Sequence, residues 1–172
     1  MNVAFISLDK TALKKEKTFL MARAPFQVLV FPYRKNMNNQ FEFALLLRVV
    51  EGFWQGIAGG GEDYETPLET AKRETFEETG IEPTSTFRQL DTVESVPVIE
   101  FKDSSIWGED VYVIPQYCFG VSTSQFDINL SKEHNAYGWF TYELANKILK
   151  FDGNKTALWE LNQRLTGRGP RG

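Results

Sequence analysis

Glu74, Glu77 and Glu78 stand at i, i+3 and i+4 in the stretch GGGEDYETPLETAKRETFEETGI, Gly59 to Ile81, which holds six glutamates and one aspartate in 23 residues. On a helix these three side chains fall within an arc of roughly 100°. Each like-charge neighbour pair costs about 0.2–0.5 kcal/mol there. That cost is small enough for a plain solvated acidic face, which is one reading of the pattern. The other is a cation site. Hard divalent ions take oxygen ligands, and Mg²⁺ uses a few carboxylates and completes its octahedron with water and substrate phosphates. Arg73 lies among these acids, eight residues after Glu65. An arginine fork accepts a carboxylate bidentately and can pin loop to helix. Gly59, Gly60 and Gly61 let the preceding chain fold back with free backbone groups.

Other chemistries are thin. His134 is the only histidine and Cys118 the only cysteine. Multi-histidine zinc sites, cysteine clusters and a disulfide within one chain are therefore excluded, and the chemistry must rest mostly on carboxylates. The net charge of -4 does not supply the broad basic surface of a nucleic-acid polymer binder. The 172 residues, 42% hydrophobic and 14% aromatic, suit one globular domain with a sizeable core. No apolar run approaches the roughly 18 residues of a spanning helix, and the N-terminus lacks the apolar core of a signal peptide. A soluble, cytoplasmic protein with no membrane contact is the expectation.

The elements that must position the acids have clear punctuation. Thr66 is a good N-cap, Pro67 suits N1 and Glu69 completes a capping box. Gly80 closes the helix, which is predicted over residues 67–79. Before it, FQVLVFPYR and FEFALLLRVV read as the two strands of a hairpin, Phe26 to Val50, around the turn KNMNNQ. EGFWQGIAGGG reads as an irregular connection. After the helix, TFRQLDTVESVPVIEF and VYVIPQYCFGVST read as strands, with Pro97 and Pro115 at edge or bulged positions. AYGWFTY reads as a short strand or turn, and YELANKILKF and KTALWELNQRL as helices. Residues 1–24 read as an extension, or as an extra strand from NVAFISL, 25–166 as the domain, and 167–172 as a flexible tail. The order implies a mixed α/β domain with a twisted mixed sheet between helices.

Gly59, Glu65, Arg73-Glu74, Glu77-Glu78 and Gly80-Ile81, at this spacing, resemble the Nudix box. At about 7% usage per position, seven fixed matches arise by chance roughly once in 10⁸ placements. The resemblance extends over about residues 25–165 and implies an α/β/α sandwich and Mg²⁺-dependent hydrolysis of a nucleoside diphosphate linked to another group, with Mn²⁺ as a substitute ion. It implies Glu74, Glu77 and Glu78 as metal ligands, with Arg73 and Glu65 as the structural pair, and offers the carbonyl of Ala58 or Gly59 as a metal contact and Gly59 and Gly60 as substrate contacts. Two positions depart from the pattern. Thr75 occupies a normally aliphatic place, and Tyr64 stands where many members have glycine.

Downstream, SKEHNAYGWF resembles a second Nudix motif that makes Glu133 a further metal ligand or general base, against a plain surface glutamate. His134 beside it is a candidate phosphate or base contact. Trp54 offers stacking on a nucleobase or pterin, or a cap on the core; Trp139 reads as core. Arg48 offers a phosphate contact or a surface salt bridge. FWQGIAGG before the box and EHNAYGWF after it resemble the bacterial dATP and dihydroneopterin triphosphate pyrophosphohydrolases, so a nucleoside or pterin triphosphate is the expected substrate. Diadenosine polyphosphate is second, ADP-ribose third. A non-catalytic nucleotide-binding module is the alternative of another class, and the intact glutamate set weighs against it. An isomerase using Cys118 is a remote option. A homodimer fits the resemblance, and no stretch identifies an interface.

Overall fold

The computed structural model describes residues 23–102, 104–125 and 127–169. The extension, its alternative strand from NVAFISL and the end of the tail lie outside these. Seven strands form one mixed sheet. The hairpin is present as β1 (Arg23–Lys35) and β2 (Phe41–Arg48). β1 thus begins two residues inside the stretch assigned to the extension.

The glycine-rich connection is not irregular. It forms β3 (Trp54–Gln55) and β4 (Ile57–Glu62), which pair with β2 and β1. Glycine weakens a strand in isolation, but here the antiparallel register Gln27↔Gly60, Val28↔Gly59, Leu29↔Ala58 fixes it. Helix α1 (Pro67–Thr79) has the predicted bounds: Thr66 and Glu69 form the capping box, and Gly80 takes the left-handed cap at φ 71°. β5 (Phe87–Pro97) and β6 (Val113–Ser122) follow. β6 runs parallel to β1 and antiparallel to β5, so β5 is an edge strand and Pro97 ends it. β6 meets β1 only from Gln116 onward, one residue past Pro115. AYGWFTY, apart from Tyr142, lies within a full strand, β7 (His134–Thr141), along β2. Helices α2 (Tyr142–Ile148) and α3 (Asp152–Thr166) close the chain, α3 starting three residues before Lys155.

Alternation along β1 divides the core. Leu29 and Phe31 pack with Cys118, Ala145, Leu158 and Leu161 under α2 and α3. Val28 and Val30 pack with Ala71, Ile81 and Phe119 under α1. The domain is therefore an α/β/α sandwich, as expected. Thr75 is fully buried on the inner face of α1, in the normally aliphatic place, while Tyr64 is exposed.

Candidate active site

Helix α1 is tied to the loop before it by one arginine. Arg73 Nε donates to Glu65 Oε1 and Nη2 to Glu65 Oε2, both at 2.8 Å. Nη2 also donates to the Gly60 carbonyl at 2.9 Å, and Nη1 to Glu74 Oε1 at 2.9 Å and Glu77 Oε2 at 3.4 Å. Glu65 further accepts from the Glu62 amide and the Thr70 hydroxyl. The Arg73 bonds, outweighing burial, hold Glu65 down at about 2. The predicted structural pair is thus in place.

The three glutamates differ in surroundings. Glu77 is exposed. Glu74 is largely covered, and burial raises its pKa despite Arg73. Glu78 is 5% exposed, and its Oε2 has no hydrogen-bond partner. Burial, then the charges of Glu74 and Glu133, push it up to about 9. Gly59 passes so close to α1 that a Cβ there would lie 1.9 Å from Glu74 Cδ. Only glycine lets this carboxylate sit against β4.

His134 is buried behind Glu78. Its Nε2 lies 3.8 Å from Glu78 Oε2 and has no hydrogen-bond partner, and Ser131 Oγ is 3.4 Å from Nδ1. Burial, then the Arg48 charge, lower its pKa, so the ring is neutral at pH 7. It is not among the residues that line the cleft, and its nearest charged neighbour is Glu78. Glu133 is exposed at the rim and accepts from Arg48 Nη1 at 2.9 Å. Arg48 also bonds both oxygens of Glu51. The salt-bridge reading of Arg48 is what the geometry displays.

These groups border a cleft of about 1020 Å³. Ala58, Gly59 and Gly60 of β4 line it, between the acids of α1 and a polar floor on the other face of the sheet. On that floor Gln27 Nε2 donates to Gln116 Oε1 at 2.8 Å, and Gln116 Nε2 to Glu94 Oε2 at 3.0 Å and Asn154 Oδ1 at 3.5 Å. Phe53 and Phe151 meet edge to face at the cleft, 5.2 Å between centroids. Trp54 does not stack there. Its ring packs against Phe140 at 5.2 Å in the larger core, because Phe53 and Gln55, its neighbours along the chain, take the cleft side. Trp139 is partly buried, with the Arg34 guanidinium 4.0 Å from its ring centre.

None of the floor residues was singled out from sequence. The available signal was a polar residue in phase with the core face: Gln27 before Leu29 and Phe31, Gln116 before Cys118.

Does this site suit a cation? Seven acidic side chains line it (Glu51, Glu74, Glu77, Glu78, Glu94, Glu100, Glu133), and even with Glu78 protonated they outnumber the three lining cations (Arg23, Arg48, Lys102). A polyphosphate would be repelled unless positive charge came with it. The partnerless Glu78 oxygen and the Glu74 cradle suit such an ion. Among the described residues no three acidic, histidine or cysteine groups converge as a ready cage. No helix is long and apolar enough to cross a membrane among the described residues.

The model of the NUDIX domain matches residues 26–159. The asymmetrical bis(5'-nucleosyl)-tetraphosphatase of Mus musculus is 33% identical over 130 residues, 74% of this chain and 83% of the relative. A Listeria monocytogenes crystal structure described as a NUDIX hydrolase is 42% identical, with a TM-score of 0.75 over 84% of this chain and 96% of that one. The Escherichia coli dihydroneopterin triphosphate pyrophosphohydrolase shares the fold at 22% identity, TM-score 0.65, over 83% of this chain and 99% of that one.

Proposed function

Since the chain belongs to the NUDIX family and is a hydrolase of phosphoanhydride bonds, we propose that it is a Mg²⁺-dependent pyrophosphohydrolase, with Mn²⁺ as a substitute ion, that cleaves a nucleoside or pterin triphosphate to the monophosphate and pyrophosphate. The observation that carries this is the buried Glu78 carboxyl group, its Oε2 without a hydrogen-bond partner, beside Glu74 on the wall of the cleft. Glu74, Glu77 and Glu78, with a carbonyl of Ala58 or Gly59, would hold the ion. When bound, it neutralises phosphate charge and lowers the pKa of a nearby water.

The chain's own groups do the rest. Arg73 fixes Glu74 and Glu77 relative to the loop. His134 backs Glu78 from the buried side. Glu133, held at the rim by Arg48, takes the proton of the attacking water. The water oxygen bonds to one phosphorus as the bond from that phosphorus to the bridging oxygen breaks. The Gln27–Gln116–Glu94 floor and the Phe53–Phe151 pair suit the polar edge and flat face of a bicyclic ring. Positioning and charge stabilisation carry most of the rate.

A diadenosine polyphosphate is the second reading, favoured by the mouse tetraphosphatase. The test is product release with Mg²⁺ from dATP, other nucleoside triphosphates, dihydroneopterin triphosphate, diadenosine tetraphosphate and ADP-ribose. Selective turnover of a triphosphate, reduced by about 10²–10³-fold in Glu78→Gln, is expected. In Glu78→Gln the melting temperature should hold, because the wild-type carboxyl is itself protonated at neutral pH. Binding without turnover on the whole panel would refute this reading.

A further inference from the structure

Arg23 has no part in the function proposed above. It opens β1 opposite Glu62, on the face of the sheet that carries Gly60 and Gln27. Its guanidinium is clamped. A Cβ on Gly60 would lie 2.5 Å from Arg23 Nε and 2.8 Å from Nη2. On another side the Phe101 ring centre is 4.8 Å from Cζ. Phe101 is braced edge-on by Trp107, whose indole N–H donates to the Arg23 carbonyl at 2.7 Å.

The other two arginines near the acids are consumed. Arg73 bonds three carboxylates and a carbonyl, and Arg48 bonds two carboxylates. Arg23 has no ion pair and no side-chain hydrogen bond among the described residues, and its Nε is buried without a partner. A guanidinium carries five donors in a fixed fork. Holding one rigidly, partly desolvated and without an anion is unfavourable. The arrangement makes sense when the anion arrives with a ligand.

Strand geometry says which anion. Gly59 and Gly60 are successive residues of β4, so they point to opposite faces. Gly59 faces Glu74 and Gly60 faces Arg23. The metal-binding carboxylates and Arg23 therefore flank one strand from its two sides, at the edge where the cleft passes over it. The two phosphates of the bond being cleaved belong at the acidic face. A guanidinium on the far side of β4 reaches a different one.

We propose that Arg23 grips a phosphate beyond the cleaved pair, so that this site selects chains of three or more phosphates over two-phosphate substrates. The inference rests on the hydrolytic reading above and narrows its substrate class. Lys102 lines the same cleft and adds positive charge.

The test compares wild type, Arg23→Gln and Arg23→Lys in turnover of dATP, diadenosine tetraphosphate and ADP-ribose, and in Mg²⁺-dependent binding of inorganic tripolyphosphate and pyrophosphate by calorimetry. Losing charge-assisted bonds should raise KM for the three- and four-phosphate substrates about 10–100-fold in Arg23→Gln. kcat should change less than about threefold, and ADP-ribose turnover should not change. Wild type should bind tripolyphosphate more tightly than pyrophosphate, Arg23→Gln should bind both equally, and Arg23→Lys should recover part of the difference, keeping charge without the fork. Equal binding of the two inorganic anions by wild type would overturn the proposal, even if a variant failed to fold. So would an equal loss on ADP-ribose, which marks a merely structural role. Absence of all turnover would refute the hydrolytic reading, while the calorimetry would still decide on Arg23.

Discussion

Replacing Gly59 with Ala adds one methyl group where β4 passes against α1. The methyl carbon would start 1.9 Å from Glu74 Cδ and 2.2 and 2.3 Å from its two oxygens. Ordinary contact begins near 3.4 Å, so the carboxylate must retreat by 3.4 − 1.9 = 1.5 Å. The backbone itself has no objection, because the positive-φ glycines are Gly52, Gly80, Gly108 and Gly167. The obstacle is the end of a flexible side chain, which can swing away after giving up its bond from Arg73 Nη1. That costs about 1 kcal/mol, offset by the roughly 0.4–1 kcal/mol that alanine gains by restricting the unfolded chain. The melting temperature should therefore move by no more than about 4 °C. Activity should suffer far more. A 1 Å misplacement of a positioned group can cost about 10²-fold, so kcat/KM should fall at least about 100-fold, near 2.7 kcal/mol of transition-state stabilisation. The half-saturating Mg²⁺ concentration should rise with it. Thermal melts and initial rates across a Mg²⁺ titration measure both. A variant within threefold of wild type at the same Mg²⁺ concentration would refute Glu74 as a ligand. A melting loss above about 10 °C would refute the claim that only the carboxylate moves.

Cation binding should be pH-dependent, because Glu78 titrates near 9 in the ion-free protein and must lose its proton to coordinate. Mg²⁺ affinity should rise about tenfold per pH unit between pH 7 and 9 and then level off. Calorimetry in buffers of different ionisation enthalpy should count about one proton released per ion, and pH-independent binding would exclude Glu78. Glu65 acts in the opposite range. Its folded-state pKa, about 2, lies below the ordinary glutamate value of 4.5, so its stabilisation is complete above pH 4.5 and is lost as pH falls towards 2. The shift of 4.5 − 2 = 2.5 corresponds to about 3.4 kcal/mol at face value. Partial exposure reduces this to about 1–2 kcal/mol. Urea unfolding at pH 5 and pH 3 should show that slope in wild type, and Glu65→Gln should flatten it.

Local signals were readable where they decide local structure. The capping box and Gly80 bound α1 because those residues satisfy the helix's own end groups, whatever surrounds them. The spacing of Glu65, Arg73 and the three glutamates is legible because a helix and one tight loop bring them together. The glycine run failed as a signal. Low strand propensity argued for a loop, but β1 imposes strand geometry, and the missing side chains are needed because Glu74 and Arg23 occupy their space. For Trp54 the sequence left stacking and a core cap both open, since only the register with β2 decides which of Phe53 and Trp54 turns to the cleft. The floor lay furthest from reach. Gln27 and Gln116 are 89 positions apart and meet only through a parallel pairing that no local pattern announces. Arg23 was lost to the supposed extension for the same reason.

That parallel pairing also sets a timetable. Val28 lies beside Tyr117, 89 positions further along the chain. A ribosome adding roughly 5–20 residues per second takes about 4–18 s to span that gap. During it β2, β4 and the acidic helix are added to β1 as nascent chain, while the long edge of β1 that pairs with β6 stays open. An unpaired edge flanked by apolar side chains invites pairing with another chain. A protein truncated before β6 should therefore aggregate rather than persist as half an enzyme. The acids of α1 are made well before Gln116 of β6, which must arrive before the floor of the cleft can form.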